Sequence, residues 1–182
     1  MDEKYFTYEF PQFNDAVRKT WDTNANFWNE RMGEGNSFHN TLIKPTQEKL
    51  LNLKPGETVL DIGCGNGQFA RQMAKLHVNI TGVDISENQI KNAIAASADY
   101  KNQIRFKVVD ATDESEMCKL GKQRFDAITC NMVIMDMAEI KPLASSVSNL
   151  LKPGGRFVFT IAHPVFNSPK GLTKVIERFE HE

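Results

Sequence analysis

From residue 57 onward the chain alternates between short apolar runs and longer segments in which apolar positions recur at helical spacing. The runs read ETVLDI (57–62), VNITGVD (78–84), IRFKVVD (104–110), RFDAITCN (124–131) and GRFVFTIA (155–162), and they are rich in valine, isoleucine and phenylalanine, as strands are. Between the first two, GQFARQMAKLH places Phe69, Ala70, Met73 and Ala74 on one helical face. Between the next two, SENQIKNAIAAS predicts a helix with a buried stripe of Ile90, Ala93 and Ile94. Its start is marked by a capping box of Ser86 and Gln89. Residues 139–150 are again helical in pattern, and KPGG (152–155) stops that helix and turns the chain into the fifth run. Strands alternating with helices predict an α/β fold, a Rossmann-like, doubly wound and mostly parallel sheet with helices on both faces.

Residues 1–56 break this rhythm. They hold nine of the 17 aromatic residues and predict one or two helices around the loop MGEGNS (32–37). They form an amino-terminal helical cap on a core of residues 57–182, and 182 residues suit one domain.

Composition narrows the partners. Lysines and arginines (22) nearly balance aspartates and glutamates (23), so the chain has no electrostatic footprint for nucleic acid or an anionic membrane, and a small-molecule partner is expected. Cys64, Cys118 and Cys130 are odd in number and lack C-x-x-C spacing, which argues against disulfides and a zinc site. The first residues, MDEKYFTYEF, have no apolar stretch of signal-peptide length, and no run is long enough to span a bilayer. A cytoplasmic protein with no membrane segment is the expectation.

The candidate chemistry lies in VLDIGCGNG (59–67). A strand, a glycine turn and a helix start form a nucleotide-handling unit, because glycine admits a ligand where a side chain would stand. The dinucleotide fingerprint needs a further glycine at position 68, where this chain has Gln68. Asp61 would repel a pyrophosphate and attract a cation. Asp84, 17 residues after Gly67, ends the second strand where a carboxylate can accept from both ribose hydroxyls. The expected ligand is a nucleoside that carries a cation in place of a phosphate. The rivals are an NAD-dependent oxidoreductase, which Gln68 and Asp61 disfavour, and a non-catalytic binding protein.

With these motifs in order, DIGCGNG, GVDIS, VVDAT, FDAITCNMVIMDM and LLKPGGRF, the chain resembles the class I S-adenosylmethionine-dependent methyltransferases over roughly residues 38–165. The resemblance implies S-adenosylmethionine as cofactor and methyl transfer to a small acceptor. It places Gly63, Cys64 and Gly65 against the methionine part, Asp61 near its ammonium, Asp84 on the ribose and Ile85 on adenine. It also places Asp110 and Ala111 at the adenine edge, and Asn131 beside the methyl. His163, at the end of the fifth run, is the candidate proton acceptor, and its unperturbed pKa suits that work. Trp28 and Arg31 are the candidate lid residues, with Arg31 able to clasp the methionine carboxylate. Family members close the sheet with two further strands, which the last 20 residues are too few to supply. The expectation is therefore a shortened chain or fragment, with the fifth strand as an exposed edge, self-association through it and weak turnover.

Overall fold

The computed structural model describes residues 11–163. Five parallel strands, β1 (Thr58–Ile62), β2 (Asn79–Asp84), β3 (Ile104–Val108), β4 (Phe125–Asn131) and β5 (Leu151–Thr160), lie in the order β3-β2-β1-β4-β5. The chain winds outward from β1 through β2 to β3, then returns to lay β4 on the other side of β1. The carboxyl ends of β1 and β4 thus flank the point where the winding reverses, and ligands collect there in open α/β sheets.

Alternation along β1 sends Leu60 and Ile62 to one face and Val59 and Asp61 to the other. Leu60 and Ile62 pack with Met117, Leu143, Val147 and Leu150 beneath α5 (Glu114–Cys118) and α6 (Lys141–Leu150). On the opposite face Val59 packs with Leu51 of α2 (Lys44–Leu51) and with Phe69 and Met73 of α3 (Gln68–Ala74). The expected face of α3 is buried throughout, at Phe69, Ala70, Met73 and Ala74.

The stripe of α4 (Glu87–Ala96) departs from expectation at one position: Ile90 and Ala93 are buried, but Ile94 is 56% exposed. α4 touches two neighbours, the sheet and a long helix α1 (Pro11–Met32), to which Asn88 and Asn92 bond. Ile94 falls on the flank away from both. The capping box is half formed. Ser86 Oγ accepts from Gln89 N at 3.1 Å, yet the Gln89 side chain does not reach back, because Ser86 N already donates to Asp84 Oδ1.

KPGG does not precede the last strand but lies inside it. β5 begins at Leu151 opposite Phe125, and the register jumps to Arg156 opposite Ala127, so residues 152–155 bulge, with Gly154 at φ +78°. α5 has no counterpart in the hydrophobic pattern. It is a single turn capped by Asp113, whose carboxylate accepts from Ser115 N and Glu116 N. Among the described residues β5 is a sheet edge, with Phe159 and Ile161 exposed, and residues 164–182 of the expected tail lie outside the description.

Asp126 ties the lower edge of the sheet by accepting from Thr58 N, Thr58 Oγ1 and Lys152 Nζ, each at 2.8 Å. Burial works against its charge, but Lys152 and the Thr58 donors outweigh it and hold the carboxyl down at about 2. A depressed carboxyl contributes stability above its unfolded pKa and loses it as pH falls through the folded one. Asp126→Asn is expected to cost about 1 kcal/mol at pH 7, the lysine being partly exposed. Urea denaturation should show that difference shrinking from pH 4 toward pH 2.

Candidate active site

The turn after β1 carries three glycines with positive φ, and each is needed for a different reason. A Cβ on Gly63 would lie 2.3 Å from the Val133 side chain, and one on Gly67 would lie 2.7 Å from the Phe106 ring. A Cβ on Gly65 would meet nothing within 4 Å. Gly65 lines a cleft of about 660 Å³ together with Gly63, Asp84, Ile85, Asp110 and Ala111, residues that the resemblance assigns to the methionine part, the ribose and the adenine of the cofactor. A second cavity of about 440 Å³ shares Gly63, Gly65 and Trp28 with the first and continues to Asp61, Cys64 and Asn131, the expected methionine end.

Asp84 stands where the two acids diverge in role. Its Oδ2 accepts from Gly65 N and its Oδ1 from Ser86 N, both at 2.9 Å, so it shapes the glycine turn and still has lone pairs for two hydroxyls. Burial pushes its carboxyl up, and the Ser86 and Gly65 N–H groups pull it partly back. Asp61 is only 2% exposed, and its Oδ2 has no hydrogen-bond partner. Burial first, and the charge of Asp84 second, push its carboxyl up to about 8. A buried oxygen without a partner is costly, and a cationic ligand removes that cost. Cys64 is buried against this cavity, and burial raises its thiol well above the usual value.

α1 covers the first cleft. Its inner face runs through Asn14, Val17, Trp21 and Trp28, with the two indoles edge to face at 5.4 Å. Polar ties fasten it along its length: Asn14 to Thr112, Asp22 to Ser86 Oγ (2.6 Å) and Asn88 N (3.1 Å), and Asn29 to Asn66 (3.0 Å). Trp28 lines both cavities. Arg31 does not. It is exposed and lies outside the inner face, which spacings of three and four residues carry from Trp28 to Met32.

His163 is likewise absent from both cavities. β5 ends at Thr160, and His163 lies on an exposed stretch beyond it. Thr160, not His163, is the strand-end residue that joins the site, by donating to Asn131 Oδ1. Asp110 reaches the cleft, but Thr112 N and Oγ1 occupy its Oδ1 at 2.9 and 2.6 Å, and Arg18 of α1 lies 3.6 Å from Oδ2.

Other residues also join the site without any sequence expectation behind them, three of them at the nucleoside cleft and the helix over it. Gln89, read only as a capping residue, is 1% exposed and lines the nucleoside cleft with both amide atoms unpartnered. Arg18 and Asp22 brace α1 against the ends of β3 and α4, a contact that depends on how α1 crosses the sheet and leaves no local signal. Among the described residues no group of acids, histidines and cysteines is arranged to hold a metal, and no helix is long and apolar enough to cross a membrane.

Known proteins resemble this chain in sequence and in fold. A ubiquinone biosynthesis O-methyltransferase of Coxiella burnetii is 30% identical over 158 residues, 85% of this chain and 64% of that protein. The chain spans about three fifths of the length of such curated relatives. The crystal structure of the cyclase SpnF superposes with a TM-score of 0.72 at 22% identity, over 81% of this chain and 60% of that one. An S-adenosylmethionine dependent methyltransferase from Mesorhizobium loti gives a TM-score of 0.60 at 28% identity, over 67% and 54%. The model of the methyltransferase domain matches residues 53–176, which include the glycine turn, both acids and the whole sheet, and the chain therefore belongs to the methyltransferase domain family.

Proposed function

We propose that the chain binds S-adenosylmethionine and transfers its methyl group to a small-molecule acceptor. The observation that carries this reading is Asp61: a buried carboxyl oxygen without a partner, beside a glycine turn whose middle residue opens onto empty space. An ammonium group satisfies it, and a pyrophosphate does not. Gln68 supports the same choice, since it fills the place of the third dinucleotide glycine and its side chain donates to Glu34 O at 3.0 Å.

Asp84 would hold the ribose, Ile85 and Ala111 would flank adenine, and the unpartnered Gln89 amide adds a donor and an acceptor to that end. The cofactor supplies an electrophilic methyl on a sulfonium sulfur. The work left to the protein is to place an acceptor in line and to exclude water, which the Trp21–Trp28 lid is built to do. No catalytic dyad is needed for that, and with His163 outside the cavities the reading does not use one. The near balance of charge supports a small acceptor, and the names of the curated relatives agree with it. Self-association through β5 belongs to the same reading, supported by the exposed Phe159 and Ile161 on that edge.

Calorimetry with S-adenosylhomocysteine and with NADH separates the two cofactor classes. Micromolar or tighter binding of the first and none of the second is expected, and the reverse order would overturn the proposal.

A further inference from the structure

His39 lies in a π-helical turn (His39–Ile43) that leads into α2, and it is only 7% exposed. It lines the methionine-end cavity with Asp61, Asn66, Gln68 and Asn131, and its ring meets the Phe69 ring edge on at 6.2 Å. Sequence spacing gives it no partner, yet it ends a chain of hydrogen bonds drawn from α2, β4 and β5. Thr129 Oγ1 donates to Gln47 Oε1 at 2.6 Å, and Gln47 Nε2 lies 3.5 Å from Thr160 Oγ1. The Thr160 hydroxyl donates to Asn131 Oδ1, and Asn131 Nδ2 lies 3.3 Å from His39 Nε2. Gln47 and Thr129 are fully buried, so the first link of the chain is shielded from water, while Thr160 and Asn131 are partly buried.

The chain has a direction. Thr129 begins it, and the Gln47 oxygen is the acceptor that takes its hydroxyl proton. Each later group then accepts from the one before and donates to the one after. At its end Nε2 can only accept, so the ring proton sits on Nδ1. That Nδ1 is buried and has no hydrogen-bond partner. Burial lowers the pKa of the ring, the Asn40 side chain offsets part of that, and Lys44 lowers it further, so the ring is neutral at pH 7.

The other buried amides around the cavity are engaged. Asn66 Nδ2 donates to Asn29 Oδ1 and Gly33 O, Gln68 Nε2 to Glu34 O, and the Asn131 amide to His39 itself. The amino-acid end of S-adenosylmethionine brings one cation and one anion. Asp61 answers the cation, and the anion needs a donor that is already dehydrated and aimed.

Resting on the proposed cofactor, we propose that His39 is that donor: its Nδ1–H binds the cofactor carboxylate, with Thr129, Gln47, Thr160 and Asn131 as positioning residues that fix the tautomer. The role expected of Arg31 thus falls to a neutral group. A neutral donor beside Asp61 avoids drawing that carboxylate into a salt bridge that would compete with the ammonium. The site then selects ligands that carry both halves of the amino acid.

The test uses S-adenosylhomocysteine and its decarboxylated analogue, titrated calorimetrically into the wild type, His39→Phe and Thr129→Val, with thermal unfolding as the check on folding. The wild type is expected to favour the carboxylated ligand. His39→Phe should lose about tenfold or more for that ligand, and less than about twofold for the analogue. Thr129→Val, which keeps the side-chain shape, should show a smaller loss of the same selectivity. Nitrogen-15 spectra of the histidine-labelled wild type should show Nδ1 protonated and Nε2 bare. Equal losses for both ligands, or none, would overturn the carboxylate assignment, and a protonated Nε2 would overturn the relay. If the wild type binds neither ligand, the cofactor reading itself fails and the carboxylate assignment with it, while the nitrogen spectra still decide the relay.

Discussion

Replacing Gly65 by valine is expected to abolish S-adenosylmethionine binding while the sheet stays folded. Gly65 sits at φ +53°, where a branched side chain is strained by about 1–3 kcal/mol. In a chain of this size each kcal/mol lowers Tm by about 2–4 °C, so the variant should still unfold cooperatively at a modestly lower temperature. Binding faces a harder obstacle. A Cβ at Gly65 has no protein atom within 4 Å, so its methyl groups would stand in the cleft itself. A loss of at least about 100-fold in affinity is expected, equivalent to about 2.7 kcal/mol. The neighbouring glycines do not offer this separation, because side chains there collide with Val133 or Phe106 and disturb the protein as well as the site. A Gly65→Val protein that binds S-adenosylhomocysteine within about threefold of wild type would place the cofactor elsewhere.

What could be read from the chain alone, and what could not, follows from the range over which each feature is determined. The first four strands, the Ser86 cap and the glycine turn depend on residues within a few positions of one another, and they stand where the pattern puts them, whereas the fifth strand takes in the KPGG bulge. Asp61 and Asp84 were legible because strand ends and glycine turns fix where such side chains point. The errors lie where a second element competes for the same group. Gln89 had a local partner in the capping box, but Asp84 took it and freed the amide for the cleft. Asp110 lines the cleft, and the bonds that Thr112 and Arg18 of α1 make to its carboxylate there leave no local signal. Arg31 and His163 have suitable chemistry and lie near site elements in sequence. The helical phase of α1 and the end of β5 at Thr160 place both outside the cavities. His39 shows the converse. Asn36 and Asn40 hold it locally, but the chain of hydrogen bonds that reaches its Nε2 is assembled from positions 47, 129, 131 and 160.

Affinity for S-adenosylhomocysteine is expected to rise about tenfold from pH 6 to pH 7 and about fivefold more from pH 7 to pH 8, and Asp61 is the reason. In the ligand-free protein its carboxyl is raised to about 8, by burial and by the charge of Asp84 on the adjoining strand, so at pH 7 it is mostly protonated. The groups around it do not supply a countercharge. Cys64 in the turn and Cys130 on β4 have raised thiols and stay neutral, and burial lowers the pKa of His39 across the cavity, which disfavours its cation. A bound ammonium favours the carboxylate, so binding below pH 8 must release one proton. Log affinity therefore climbs with nearly unit slope at pH 6, and less steeply as the carboxyl becomes ionised without help. Above about pH 8 the curve should flatten, then fall as the ligand ammonium loses its own proton. Calorimetry at pH 6, 7 and 8, in buffers of different ionisation enthalpy, reads both the slope and the released proton. Asp61→Asn keeps the shape but has no charge to offer. It should flatten the profile and weaken binding at pH 8 by about 1.5–3 kcal/mol, the range for a hydrogen bond to a charged group. Asp84 carries a raised carboxyl as well, but the Gly65 and Ser86 N–H groups oppose that rise, so the pH dependence remaining in Asp61→Asn measures its share. An affinity that is flat from pH 6 to pH 8 in the wild type, or an Asp61→Asn protein that binds as tightly as wild type at pH 8, would remove Asp61 from the ammonium site.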